Sequence, residues 1–295
     1  MAQPQHTPRL ALLEEAIIVL FCEIDDAHLN PKGRHYAALK QLSDSEVITL
    51  ALFQQLRGVE SERSFLPEAT RFFSHLFPGV VGLHPSSLHR RIRKLRRYLE
   101  PLRRAILPEL VGEPETLIVD STLLEVLHPR QVPQGSGFDG AAWARWGTFS
   151  VYGVKLHLLC ATNRVPLSYE LTSANVADIP LRKELLDEAG LSEEVARKLL
   201  GDLAYRSEEL RKELAEVGIH LATEKAQGGR RPGVRQHIEI AICSLKRVFG
   251  LGETLATTII GLARRIAAKI CAYTYAFLVN RRLSRPQGKI KELWA

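Results

Sequence analysis

The residues best placed to do chemistry are three acids, Asp120, Asp202 and Glu239, far apart in the chain. Glu239 lies in 231–250, where Val234, Ile238, Ile242, Leu245 and Phe249 recur three and four residues apart, the spacing of a helix with one buried stripe. At about 100° per residue, Arg235, Glu239 and Lys246 fall within roughly 60° of one another, so one carboxylate stands between two cations. Taken alone that row reads as an ordinary surface ion pair, and it gains weight only if other carboxylates converge on it. Asp120 closes the apolar, β-branched run 116–119, and Asp202 closes the similar run 198–201. In an open α/β sheet, ligand chemistry collects at the carboxyl ends of the strands, which is where both aspartates are expected. Carboxylates withdrawn from water cost several kcal/mol each, and three together repel unless a cation stands between them. Hard divalent cations with oxygen ligands, Mg²⁺ above all, meet that requirement.

The rest of the chain must position these acids. With 295 residues, 45% hydrophobic and 25% charged, it has the composition of a soluble globular protein of one large or two modest domains. No apolar run reaches eighteen residues and the opening Met-Ala-Gln-Pro-Gln-His has no basic segment before an apolar one, so neither a membrane span nor a signal peptide is expected. The four cysteines have no metal-ligand or C-x-x-C spacing, and buried free thiols in a reducing compartment are expected. The net charge of +7 is unevenly spread: +3 over 1–110, −6 over 111–229 and +10 over 230–295. Basic flanks around an acidic middle suit a polyanion held by the flanks with its phosphates presented to metal-requiring acids.

Residues 1–110 read as helical. A buried helix is expected over 9–27, a second after the capping-box pair Ser43 and Glu46, and a shorter one around 67–76. The stretch 85–104 follows, with Leu88, Ile92, Leu95, Leu99 and Leu102 forming one apolar stripe on an otherwise cationic helix. Arg90, Arg93, Lys94, Arg96 and Arg97 make it a candidate DNA-contacting element whose affinity would depend on salt; a merely solvated face is the plain alternative. From 111 the texture turns to strands. A long loop is expected over 130–147, where Trp143 and Trp146 are candidates to stack a base. A hairpin follows across Asn163-Arg164, then a helix over 178–189, the Asp202 strand, a helix over 207–217, a strand over 219–223, a flexible 227–230 and the Glu239 helix. Lys155 and His157 alternate toward one face of the second strand as candidates to approach the acids, a structural or solvent-facing role being the plain alternative. A helix over 254–282 is expected to dock on this second domain, with a loosely held tail from 284 to 295.

Taken together, Ile118-Val119-Asp120-Ser121, the run 152–158, Gly201-Asp202-Leu203-Ala204-Tyr205, the array Arg235-x3-Glu239-x6-Lys246 and the ending 264–273 resemble bacterial insertion-sequence transposases of the DDE class. The stretch 42–50 is similar to the helical front domain of one group of them. The resemblance implies an α/β fold: a ribonuclease H-like mixed sheet flanked by helices, behind an all-helical N-terminal DNA-binding domain (1–110), with a long C-terminal helix inside the catalytic domain (111–295). It implies Asp120, Asp202 and Glu239 as catalytic, metal-binding residues for two Mg²⁺ ions, with Mn²⁺ as a substitute. Arg235, Lys246 and Lys155 would hold phosphates. The implied partners are double-stranded DNA, as terminal inverted repeats and target, and a second copy of the chain on that DNA; no membrane is involved, and the setting is the bacterial cytoplasm and nucleoid. Where some relatives carry a tyrosine three residues before the arginine, this chain has Pro232. Two other readings are carried beside the transposase: a metal-dependent DNA nuclease, and a transposase-derived DNA-binding protein or repressor without catalysis.

Overall fold

The computed structural model describes residues 7–27, 41–128, 130, 132, 138–177, 185, 198–202, 207–216, 218–223, 233–253 and 255–291. Its chain divides into two compact units, one of residues 1–106, 248–250 and 264–295, the other of 107–247 and 251–263.

The second unit is built on a six-stranded mixed sheet of β1 (Thr116–Leu127), β2 (Ala142–Trp146), β3 (Phe149–Ala161), β4 (Pro166–Ser173), β5 (Lys198–Gly201) and β6 (His220–Thr223). β1 pairs antiparallel with β3, with Asp120 opposite Leu158, and parallel with β5, with Ile118 opposite Leu200. β4 adds to β3 antiparallel, and β6 adds to β5 parallel. The order is therefore β4-β3-β1-β5-β6, with β2 paired to the first part of β3. Three antiparallel strands followed by two parallel ones reproduce the expected ribonuclease H-like order. Leu117, Ile118, Val119, Leu156, Leu158, Leu159, Leu199 and Leu200 fill the sheet's core. The β3–β4 turn forms at Asn163-Arg164 as expected: Arg164 takes φ 76°, and the Asn163 side chain accepts from Val165 N at 3.2 Å and donates to Leu110 O at 2.9 Å.

The first unit holds α1 (Thr7–Asp26), α2 (Asp44–Leu56), α3 (Glu62–Phe73), α4 (Pro85–Leu95) and most of α5 (Leu99–Val111). The Ser43–Glu46 capping box forms at the start of α2, satisfying donors that a helix end otherwise leaves open. Phe53 packs edge-on against Phe73 at 5.2 Å and near Phe65 at 6.3 Å. In the second unit α6 (Glu208–Glu216) packs beside β6, and α7 (Gln236–Arg247) beside β1.

The long C-terminal helix, α8 (Ile259–Arg282), begins five residues later than its pattern suggested. From Arg264 onward it is grouped with residues 1–106. Its interactions there are specific. Buried Lys269 donates to Glu60 and to the Phe249 carbonyl, Arg265 donates to Glu60 O at 2.9 Å, and Tyr273 lies between the rings of Phe249 and Phe277. Beyond it, Ile290 is buried and Asn280 donates to Gln287 O at 3.0 Å, so the described part of the tail is packed rather than loose.

Two other elements differ from expectation. The basic stretch is not one helix: α4 stops at Leu95, a single 3₁₀ turn spans Arg96–Tyr98, and α5 starts at Leu99. Pro101 explains the break, since it has no N–H to give Arg97 and its ring would strike that carbonyl in a continuous helix. The 130–147 stretch also contains β2, an aromatic five-residue strand that its glycine-rich flanks conceal. Of the four free cysteines only Cys160 and Cys271 are buried; Cys22 and Cys243 are exposed. The helix expected over 178–189, the Leu203–Tyr205 part of the Asp202 motif, 227–230 and Pro232 lie outside the described residues, apart from Leu185.

Candidate active site

Asp120 does not end its strand, because β1 runs on to Leu127. The parallel pairing with β5 ends two residues before it. With Ile118 opposite Leu200, two further residues on each strand set Asp120 beside Asp202, just past the last residue of β5. Neighbouring strands lie about 4.8 Å apart, so the register alone makes the two carboxylates neighbours.

Burial pushes the Asp120 carboxyl up to about 6 from its ordinary 3.8. A hydrogen bond from Ser121 N at 2.8 Å and the charge of Arg235 oppose the rise, while the negative charges of Asp202 and Glu239 add to it. Two of the predicted acids, Asp202 and Glu239, therefore both act on the third. The three are not collapsed into a cage: among the described residues no group of three His, Cys, Asp or Glu side chains is gathered closely enough to hold an ion.

Helix α7 brings the third acid. Ile238, Ala241 and Leu245 are its buried stripe, while Val234, predicted to share it, is exposed in the turn before the helix begins. His237 donates to the Thr162 carbonyl and ties the first turn to the β3–β4 connection. Two turns after Glu239, Lys246 donates to Leu123 O at 3.4 Å. α7 lies beside β1, with Lys246 reaching Leu123 and Glu239 near enough to act on Asp120. Burial holds the Lys246 ammonium below its usual range, opposed by the Cys243 thiol. Arg235, in the turn before α7, sets Nη2 3.8 Å from Asp202 Oδ2. Its Nε is buried with no hydrogen-bond partner among the described residues, so this guanidinium keeps donor capacity toward the acids.

Residues 112–275, over half of the chain, match the family described as Transposase DDE domain. The chain belongs to that family. A search of curated proteins gives no match. Among solved structures, it is similar to a piggyBac transposase synaptic complex with hairpin DNA, at 12% identity and a TM-score of 0.41, covering 97% of this chain and 79% of that one. It is also similar to the Mos1 strand transfer complex, at 11% identity and a TM-score of 0.27, covering 84% and 82%.

Within this DDE domain Lys155 and His157 stand apart from the acids. They lie opposite Leu123 and Ser121, on the sheet face that alternates with that of Asp120. Lys155 donates to Val176 O at 2.7 Å, and His157, buried, is 2.9 Å from Thr172 Oγ1. Ser121 N, which braces Asp120, was not singled out in the sequence, since a backbone donor leaves no mark on residue type. In the other unit, the basic segment divides its labour. Arg91 donates to Leu42 O at 2.6 Å and to buried Asp44 at 2.7 Å, fastening α4 to α2. Arg90, Arg93, Lys94 and Arg97 are exposed and Arg96 is half-buried. Arg97 lies 4.9 Å from the Tyr98 ring centre.

Proposed function

We propose that this transposase-family chain cuts DNA at the ends of a mobile element and joins the freed 3′-hydroxyls to target DNA, with Asp120, Asp202 and Glu239 as the metal-binding catalytic acids. The observation that carries the reading is the parallel register that sets Asp120 beside Asp202, with Arg235 3.8 Å from Asp202, inside a segment that matches a transposase DDE domain. The donor set fits the implied cofactor. It consists only of carboxylate oxygens, which suits Mg²⁺ or Mn²⁺, and its mutual repulsion is the kind a divalent cation relieves. When bound, a pair of such ions supplies charge stabilisation to the attacking and leaving oxygens of an in-line phosphodiester displacement.

The chain's own contribution is positioning and charge. Asp120 is fixed by the sheet and by Ser121 N, Asp202 by the end of β5, and Glu239 by a helix whose first turn is tied to Thr162. Arg235 and Lys246 flank them as phosphate holders, water serving as the first nucleophile and the liberated 3′-hydroxyl as the second. Lys155 is left out because its ammonium is engaged on the other sheet face. The exposed cations of 90–97 hold duplex DNA through its phosphates, with two copies of the chain bringing two element ends together.

The test is cleavage of a supercoiled plasmid carrying the DNA that flanks this gene, with Mg²⁺ or with chelator. Metal-dependent breaks at fixed flanking positions are expected. Scattered metal-dependent nicks would point to a plain nuclease, and tight binding without breaks to a DNA-binding protein. Changing Arg93, Arg96 and Arg97 together to Gln is expected to flatten the plot of log binding constant against log salt by up to about 3, at about 0.9 per phosphate. Arg91 is left in place because it holds Asp44. An unchanged slope in a salt titration would remove this segment from the interface.

A further inference from the structure

The β2–β3 ribbon is not used by the three acids. Trp146 and Phe149 pair across Gly147-Thr148, a two-residue turn for which Gly147 takes φ 60°. Phe149 stands at that tip with 76% of its surface exposed, and Trp143 is 47% exposed. Phe149 is the most exposed large apolar side chain among the described residues. Three residues back from the tip Trp143 lies opposite Tyr152, with ring centres 5.4 Å apart. Over 142–161 there is no Asp or Glu, although 111–229 as a whole is acidic, and exposed Arg145 sits on the ribbon itself. An exposed aromatic tip with a cation and no acid complements a phosphate-bearing, stacked partner better than an apolar protein surface.

The register locates the tip. Phe149 is nine residues along β3 from Leu158, the partner of Asp120, so it reaches at most about 30 Å from that carboxylate's level at 3.3 Å per residue. That is about nine base-pair steps at 3.4 Å each. We propose that the β2–β3 ribbon is a wedge for duplex DNA, with Phe149 entering an unstacked base step and Arg145, on the other face of the tip, taking an adjoining phosphate. Apolar wedges of this kind enter steps that part readily, and pyrimidine–purine steps part most readily. The wedge would give the domain a preference for deformable DNA within about nine steps of the cut, at positions no base-reading side chain contacts. The inference rests on the DNA-processing reading above.

The test uses the full chain in chelator, so that no cleavage occurs, and a labelled duplex of about 30 base pairs, either fully paired or with a two-base mismatch near its centre. By fluorescence anisotropy the wild type is expected to bind the mismatched duplex about tenfold more tightly, because the mismatch spares the cost of unstacking. F149A is expected to bind both duplexes alike, and F149W to keep the preference. A preference that survives in F149A, or none in the wild type, overturns the wedge. A change of sedimentation in F149A with its duplex preference intact also overturns it, assigning the ribbon to contact between copies. Fixed metal-dependent plasmid breaks alongside either result leave the transposase reading standing, whereas no binding to any duplex overturns both.

Discussion

Glu239→Gln is expected to lower Mg²⁺-dependent DNA cleavage by about 10³-fold or more while leaving the fold and metal-free DNA binding intact. Metal-assisted charge stabilisation supplies several kcal/mol to the transition state, at 1.36 kcal/mol per tenfold in rate, and a neutral amide does not hold a hard cation as a carboxylate does. Glu239 is half-buried on a helix whose packing rests on Ile238, Ala241 and Leu245, so the isosteric change removes charge without opening a cavity. Asp120→Asn and Asp202→Asn should behave alike, since the three acids work as one group and their losses do not add. The measurement is single-turnover nicking of the flanking-DNA plasmid, with circular dichroism as a control on folding. Cleavage by Glu239→Gln within tenfold of the wild type would remove Glu239 from the catalytic group.

How much of this was legible in the sequence depends on whether the signal was local. Asp120 and Asp202 stood out because each closes an apolar run, and the parallel register then made them neighbours without further information. Glu239 stood out by helical period, and the structure keeps that period from Ile238 to Leu245 while shedding Val234. What could not be read was set by distant partners. The face on which Lys155 falls depends on which residue of β1 it pairs with, a parity that a single strand does not contain. The grouping of 264–295 with 1–106 depends on Glu60 accepting from Arg265 and Lys269 some two hundred residues later. The break at Arg96–Tyr98 was legible in principle, since Pro101 forbids the bond that a continuous helix needs there; a strong apolar stripe across 88–102 masked it.

The burial that raises the Asp120 carboxyl, with a smaller part from the charges of Asp202 and Glu239, should tax the metal-free protein, and the tax depends on pH with a definite sign. Asp120 titrates near 6 when folded and near 3.8 ordinarily, so between those values the folded state holds the proton more tightly. The contribution of Asp120 to the stability of the metal-free protein is then fullest below about pH 4, falls as pH rises through 6, and stays lost above. The difference corresponds to about 3 kcal/mol at 1.36 kcal/mol per pH unit. Asp120→Asn carries no such charge. At pH 7.5 without metal it should be the more stable protein by up to about 3 kcal/mol, and at pH 4 the two should coincide. Mg²⁺ should reverse the order at pH 7.5, because an ion that binds only the folded wild type raises its stability by mass action, and the variant has lost a ligand. Urea unfolding of both proteins at pH 4 and 7.5, with and without Mg²⁺, measures all of these differences. An Asp120→Asn advantage equal at both pH values would mean that the burial of Asp120, and with it the electrostatic case for a cation among the three acids, is misplaced.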